Sequence, residues 1–258
     1  MSRLRARCPD CGTHTAVALG PDYQCHACGR EFAAGLVRVP RAWGRGGEAM
    51  AEAAGLPLPY PEAAVVAERS VGEQSLAVAL ALPERPLVLG GCCCAHIGAV
   101  EALAARGATL GLIWLDAHGD LNTPETSPSG NPWGMPLRIV LDSAAVAPDN
   151  VALIGARSLD PAEREFIAGC GLHTGEDAPE RALAGCTVAY VAIDGDALDA
   201  RELVSFMPEP GGLSLAQVEE LLRRVRARVD VAGAGFSGLR ADPANRAPLE
   251  RLCTALGL

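Results

Sequence analysis

The sequence predicts an α/β fold: a three-layer α/β/α core on a mainly parallel sheet, preceded by a small N-terminal zinc ribbon. Three observations predict it. From residue 73 onward, short apolar runs of strand length alternate with stretches of helical length, as expected of strands covered by helices on both faces. Three of the apolar runs end directly in chemistry-bearing residues, at Gly90-Gly91-Cys92-Cys93, Asp116-Ala117-His118-Gly119-Asp120 and Asp194-Gly195-Asp196. The carboxyl ends of parallel strands are where such sheets bind ligands. Near the N-terminus stand two Cys-x-x-Cys pairs, Cys8 with Cys11 and Cys25 with Cys28.

The segment 1–36 reads as the ribbon. Thirteen residues separate its two pairs, and Gly12 and Gly29 follow them directly. Each Cys-x-x-Cys turn aims two thiolates at one point, and two facing turns make a closed tetrahedral site. So short a unit needs a metal to fold, so its zinc (Zn2+) reads as structural. His14 and His26 read as solvent-facing neighbours. The segment 37–62 is rich in Pro and Gly, holds a short alanine-rich helical candidate at 48–54, and reads as a connecting arm. The principal domain is then 63–258. Its helices are predicted at 73–82, 96–106, 134–141, 160–168 and 214–228, with a last one from 248. Its strands are predicted at 86–89, 109–115, 150–154, 187–193 and 232–236.

The chain has 258 residues, 49% of them hydrophobic, enough for a substantial core with a small accessory module. It shows neither a basic-apolar-small leader nor a long uncharged apolar run, so a cytoplasmic protein without a membrane span is expected. The 22 basic residues are all arginine, and the net charge of −9 argues against nucleic acid as a partner. Ten cysteines include the run Cys92-Cys93-Cys94, and such spacing fits metal ligation in a reducing compartment better than disulfides.

Residues two apart in an extended segment share a face, so Asp116, His118 and Asp120 are expected to converge, as are Asp194 and Asp196. Buried together without compensation, these carboxylates would cost several kcal/mol per charge. Cations remove that cost. Four carboxylates balance two divalent ions, and oxygen donors with one imidazole suit manganese (Mn2+), or less selectively iron (Fe2+) or zinc.

The segment from Asp116 to Asn131 resembles the DAHxDxNT...SGN stretch of the arginase/agmatinase (ureohydrolase) family. Val191-Ala192-Ile193-Asp194-Gly195-Asp196-Ala197-Leu198-Asp199 is similar to that family's DxDxxDP motif, and Gly90-Gly91 to its GGDHS turn. The likeness runs from about residue 86 to the C-terminus. It implies an arginase-like domain with a binuclear manganese site in which Asp116 and Asp194 bridge the ions, Asp120 completes one, and His118 with Asp196 completes the other. It further implies hydrolysis of a linear C–N bond by a metal-bound hydroxide, so that Asp120, His118 and Asp194 carry catalysis. The residues matching Asn122, Ser129 and Asn131 hold the α-carboxylate of an amino-acid substrate, and the one matching Asp160 its α-amino group. The expected partner is therefore a small guanidino or amidino compound with an amino-acid-like head. Family members commonly assemble, so a homo-oligomer is compatible.

Three positions depart from the family pattern. Cys93 stands where the family's first metal-ligating histidine stands. A thiolate there is soft and favours zinc or iron; His96, three residues on, is the alternative ligand, and a one-metal site beside a buried thiol cluster is the third reading. Trp133 replaces a proton-shuttling histidine. Arg240 matches the glutamate that receives the guanidinium, with Asp242 or Glu209 as substitutes for the missing carboxylate; a cation at that point attracts an anion. The alternative function is a catalytically degenerate protein of this fold acting as a metal- or amino-acid-binding or regulatory interaction module. The ribbon is a candidate docking surface for a protein partner.

Overall fold

The computed structural model describes residues 5–258; the first four residues of the segment read as the ribbon lie outside the described residues. The chain opens with strands β1 (Arg5–Ala6), β2 (Ala16–Leu19), β3 (Asp22–Cys25) and β4 (Glu31–Phe32), which form an antiparallel sheet in sequential order. Its apolar centre is little more than Ala6, Ala16, Tyr23 and Phe32 with Cys8 and Cys25, too small a core to stand unaided.

There follow β5 (Gly35–Val39), a short α1 (Glu48–Ala51), β6 (Glu62–Val65), α2 (Val71–Ala81), β7 (Pro86–Gly90), α3 (Ile97–Ala104) and β8 (Leu110–Leu115). Next come α4 (Pro136–Asp142), β9 (Val151–Ile154), α5 (Pro161–Cys170), β10 (His173–Thr174) and α6 (Ala178–Ala182). The chain ends with β11 (Val188–Asp194), α7 (Leu215–Arg228), β12 (Asp230–Ser237) and α8 (Arg246–Leu256). Eight strands form one sheet in the order β10-β9-β8-β11-β12-β7-β5-β6, and each pairing in it is parallel.

Alternation along the strands divides the core in two. Leu36, Leu87, Leu89, Ile113, Leu115, Val191, Ile193 and Phe236 point to one face, where Leu215, Val218, Leu222, Leu249 and Leu252 of α7 and α8 cover them. Val37, Val39, Val88, Leu112, Trp114 and Tyr190 point to the other, against Val78, Val100, Leu103, Leu137 and Val140 of α2, α3 and α4. This is the three-layer α/β/α arrangement that the alternating pattern predicts.

The segment 37–62, expected as a connecting arm, is different in kind. β5 pairs with β7 on one side and β6 on the other, and Leu36, Val37 and Val39 are fully buried. The sheet therefore begins before the ribbon's expected boundary, and the helical candidate at 48–54 becomes the four-residue α1 and the 3-10 turn Glu52–Gly55. Pro40 and the glycines that suggest a linker belong to the crossover between these two strands. The small N-terminal sheet lies along the margin of the large one: Arg7 N donates to Glu62 O at 3.0 Å and Glu62 N to Arg7 O at 2.9 Å, so Arg7 pairs with the edge strand β6.

Candidate metal centre

Four neighbouring strands, β8, β11, β12 and β7, run parallel, so the residues that follow them meet at one edge. Asp116 follows β8, Asp194 closes β11, Ser237 closes β12, and β7 leads through Gly91 and Cys92 into the 3-10 turn Cys93–His96. A side chain at Gly91 would collide with the Arg41 carbonyl, and one at Gly238 with the Asp194 carboxylate; the close approach of these loops requires glycine.

Asp116, Asp120, Asp194, Asp196 and Cys93 are all buried. Strand alternation, the expected cause, does not bring them together. The chain bends after Asp116: His118 N donates to Asp116 Oδ1 at 2.8 Å, and Asp120 holds φ at +53°, a left-handed conformation uncommon for a residue with a side chain. Asp194 accepts from Asp196 N at 3.1 Å, at the head of the 3-10 turn Gly195–Ala197. Short side-chain-to-backbone bonds aim these carboxylates.

Two trios result among the described residues. Ligand atoms of Asp116, His118 and Asp196 lie within 4.8 Å of one another, and so do those of Cys93, Asp116 and Asp120. Asp116 is common to both. His118 Nδ1 stands 3.4 Å from Asp116 Oδ1 and 3.2 Å from Asp196 Oδ2, while Nε2 is 3.7 Å from Glu209 Oε1. Asp194 lies outside both trios, its Oδ2 accepting from the Cys93 thiol at 2.9 Å.

The electrostatics of this cluster fit cations. Asp120 Oδ2 is buried without a hydrogen-bond partner, an arrangement that is costly unless a positive charge faces it. Burial, with Asp116 and Asp194 adding repulsion, pushes the Asp120 carboxyl far above the carboxylate range. Burial and the neighbouring Asp196 raise Asp194 to about 7, and burial and Asp116 raise Asp196. Burial opposes a charge on His118, but its bonds to Asp116 and Asp196 prevail and lift it to about 12. Clustered acids gathering protons in this way would exchange them for divalent ions.

Of the alternatives at the Cys93–His96 turn, Cys93 faces the carboxylates. His96 is turned behind them, its Nε2 3.2 Å from Ser237 Oγ and its Nδ1 2.9 Å from Tyr190 Oη, and burial pushes it down to about 3.

A cavity of about 320 Å³ opens over the cluster. Asn122, Ser129 and Asp160 line it, together with Trp133, Phe206 and Met207. Asn122 is already engaged, donating to Asp160 Oδ2 at 2.9 Å and accepting from Thr126 Oγ1 at 3.0 Å. Asn131 and Arg240, expected with them, are not among its lining residues. Asn131 Oδ1 accepts from Arg45 N at 3.0 Å, tying its loop to the segment before α1. The Arg240 guanidinium lies 5.6 Å from the centre of the Phe206 ring.

Sequence reasoning passes over several residues here. Arg157 donates to the carbonyl oxygens of Gly155, Asp196, Glu209 and Pro210, so one guanidinium straps the segment carrying Phe206, Met207 and Glu209 over the cluster. Glu163 is buried and accepts from Leu121 N at 3.0 Å and Asp160 N at 2.9 Å, fixing the loop from Asp116 to the head of α5. The capping pattern Asp160-x-x-Glu163 is the signal that finds it. Ser237 and Tyr190 give none, since each is a lone polar residue in an apolar strand.

In the small sheet, the sulfurs of Cys8, Cys11, Cys25 and Cys28 lie within 4.8 Å of one another, with Cys8 Sγ 3.8 Å from Cys28 Sγ and Cys11 Sγ 3.6 Å from Cys25 Sγ. This arrangement is compatible with a zinc ribbon.

The profile of the arginase family matches residues 50–240. An arginase of Staphylococcus aureus (strain MRSA252) is 50% identical over 99 residues, covering 34% of this chain and 33% of its own length. An arginase of Bacillus subtilis (strain 168) is 37% identical over 155 residues, covering 50% of this chain and 52% of its own. The chain thus matches about a third to a half of the length of these curated relatives. Among solved structures, the arginase from Bacillus cereus superposes with a TM-score of 0.71 at 26% identity, covering 86% of this chain and 97% of that one.

Proposed function

The chain belongs to the arginase family, and from that premise we propose that it is a metal-dependent hydrolase of linear C–N bonds in small guanidino or amidino compounds. The observation that carries this reading is the pair of trios sharing Asp116. Asp116, His118 and Asp196 would hold one divalent ion and Cys93, Asp116 and Asp120 the other, with Asp194 completing the site beside Cys93. Two such ions, when bound, supply an acidified water as nucleophile and stabilise charge on the attacked carbon.

The chain's own residues do the rest. Asp120, in its left-handed conformation, aims a bare carboxylate oxygen into the site. His118 reaches toward Glu209, which places an acidic group where a substrate cation or a departing proton can be received; this is the substitute carboxylate, in place of the residue matched by Arg240. Asp160, held by Asn122 and Glu163, offers its carboxylate to an amino group, and Ser129 a hydroxyl to a carboxylate. Trp133 and Phe206, 6.1 Å apart edge to face, exclude water and stack on a planar amidino group.

We assign the four ribbon cysteines one structural zinc, and thiolate ligation of this kind supports a reducing compartment such as the cytoplasm. The test is a panel of guanidino, amidino and formimino compounds offered to protein loaded with manganese or zinc, reading urea, ammonia or amide release. Metal uptake with no turnover on any member sinks the enzyme reading and leaves the binding module, which Trp133 favours because an indole moves no proton.

A further inference from the structure

Resting on the metal-site reading above, we propose that the two halves of the site differ in kind. The Cys93–Asp116–Asp120 half is a zinc position with a thiolate ligand, held by a buried chain of Ser237, His96 and Tyr190, whereas the Asp116–His118–Asp196 half takes a harder ion such as manganese.

The donor sets separate the halves. One offers two carboxylates and an imidazole, the other two carboxylates and a sulfur, and sulfur draws zinc from a mixture in which manganese is the poorer thiolate partner. Cys93 Sγ stands 3.6 Å from Asp116 Oδ2. The bare Asp120 oxygen is a third donor with nothing else to do.

The turn selects one thiol of three. Cys92 Sγ accepts from Trp43 N at 3.4 Å and Cys94 Sγ faces Pro132 O at 3.5 Å. Cys93 alone of this run contacts the carboxylates.

Behind it stands a built support. Ser237 Oγ lies 3.1 Å from Cys93 Sγ, 3.3 Å from Asp194 Oδ2 and 3.2 Å from His96 Nε2, and His96 Nδ1 lies 2.9 Å from Tyr190 Oη. His96, Tyr190 and Ser237 are each wholly buried. If Tyr190 donates to Nδ1, the other ring nitrogen donates to Ser237, whose one hydroxyl proton goes to Asp194 Oδ2 in the metal-free protein and becomes available to the sulfur once Asp194 turns to an ion. An ion that displaces the thiol proton leaves a thiolate, which accepts that bond, and the chain settles in this direction. Gly235 makes the room: a Cβ there would stand 2.7 Å from His96 Cε1 and 2.8 Å from Tyr190 Oη.

The test needs no turnover, so it stands apart from the hydrolase reading. Cobalt-loaded protein is compared with cobalt-loaded Cys93→Ser, each with its ribbon intact, so that the ribbon thiolates cancel in the difference spectrum. A thiolate-to-cobalt charge-transfer band in the difference, and about one equivalent less zinc in the variant, are expected; an empty difference with unchanged zinc overturns the proposal even if hydrolysis is found. Should Cys93→Ser fail to fold, Cys93→His carries the test. It retains two ions, loses the band, and shifts the zinc-over-manganese preference toward manganese by about ten-fold or more; an unshifted preference overturns the proposal. Ser237→Ala, a positioning variant, is expected to keep the band and weaken zinc binding by about ten-fold, while Ser237→Thr restores it; equal affinities in all three remove the supporting chain.

Discussion

At the residue scale the account turns on Asp116. Because it belongs to both trios, Asp116→Asn should lose about two equivalents of metal from the hydrolase site, whereas Asp120→Asn and Asp196→Asn should lose about one each. Elemental analysis of the purified variants reads this directly, and equal losses from all three would contradict the shared role. Protonation gives a second test. In the metal-free protein Asp194 is raised to about 7 and His118 to about 12, so between the ordinary carboxylate value and neutrality the folded chain binds more protons than the unfolded one. His118 continues the same sign above its usual value. His96, pushed down to about 3, opposes this trend below its usual value, so stability of the metal-free protein is expected to fall as pH rises from about 6.5 to about 8, by about 2–4 °C in Tm for each kcal/mol lost. Metal loading, which displaces those protons, should flatten the slope; a metal-free Tm that rises over this range contradicts the assignment. Asp116, His118, Asp120, Asp194 and Asp196 are legible in the sequence because they crowd two short segments. The cause of their convergence is not, since turns and a left-handed Asp120 replace the expected strand alternation. Arg240 is misplaced because the tail offers little besides Pro243 to anchor its register, and the side chain rests by Phe206 outside the cavity lining.

At the element scale the strap made by Arg157 is the feature to break. Its guanidinium meets four carbonyl oxygens, so Arg157→Ala leaves several acceptors without a charged donor, at about 1–3 kcal/mol. Arg157→Lys can replace only part of the fork. The expected result is a larger loss in KM than in kcat and faster proteolysis between Phe206 and Gly211, with metal content unchanged; unaltered proteolysis would mean that the segment is held by its own packing. The long helices and central strands were readable from periodicity, as in α7, where Leu215, Val218, Leu222 and Val225 form the buried stripe. β5 and β6 were not. β5 straddles the boundary drawn between ribbon and arm, and β6 runs Glu62-Ala63-Ala64-Val65 with an exposed end, a composition that gives no strand signal until β5 provides a neighbour. β10 and α6, two and five residues long, lie below what a pattern can show.

At the scale of the whole molecule the small N-terminal sheet, proposed as the ribbon, is joined to the large sheet at its β6 edge. Arg7 pairs with Glu62 on the edge strand, and Ala63 packs against the ribbon's small core, so the ribbon covers an edge that would otherwise present unpaired backbone groups. Cys8→Ser should lower zinc by about one equivalent, reduce Tm and promote association of the protein through β6, while the second metal site keeps its content. A variant that stays as stable and as dispersed as the parent would show that the ribbon serves a partner instead of the sheet.

The central claim, two ions joined by Asp116, is tested most directly by anomalous diffraction from crystals grown with manganese and zinc, recorded at each metal's absorption edge. Apart from the zinc assigned to Cys8, Cys11, Cys25 and Cys28, the account predicts two peaks in the hydrolase domain about 3.5–4 Å apart on either side of Asp116, one beside His118 and Asp196 and the other beside Cys93 and Asp120. A single peak, or a pair that excludes Asp116, contradicts it.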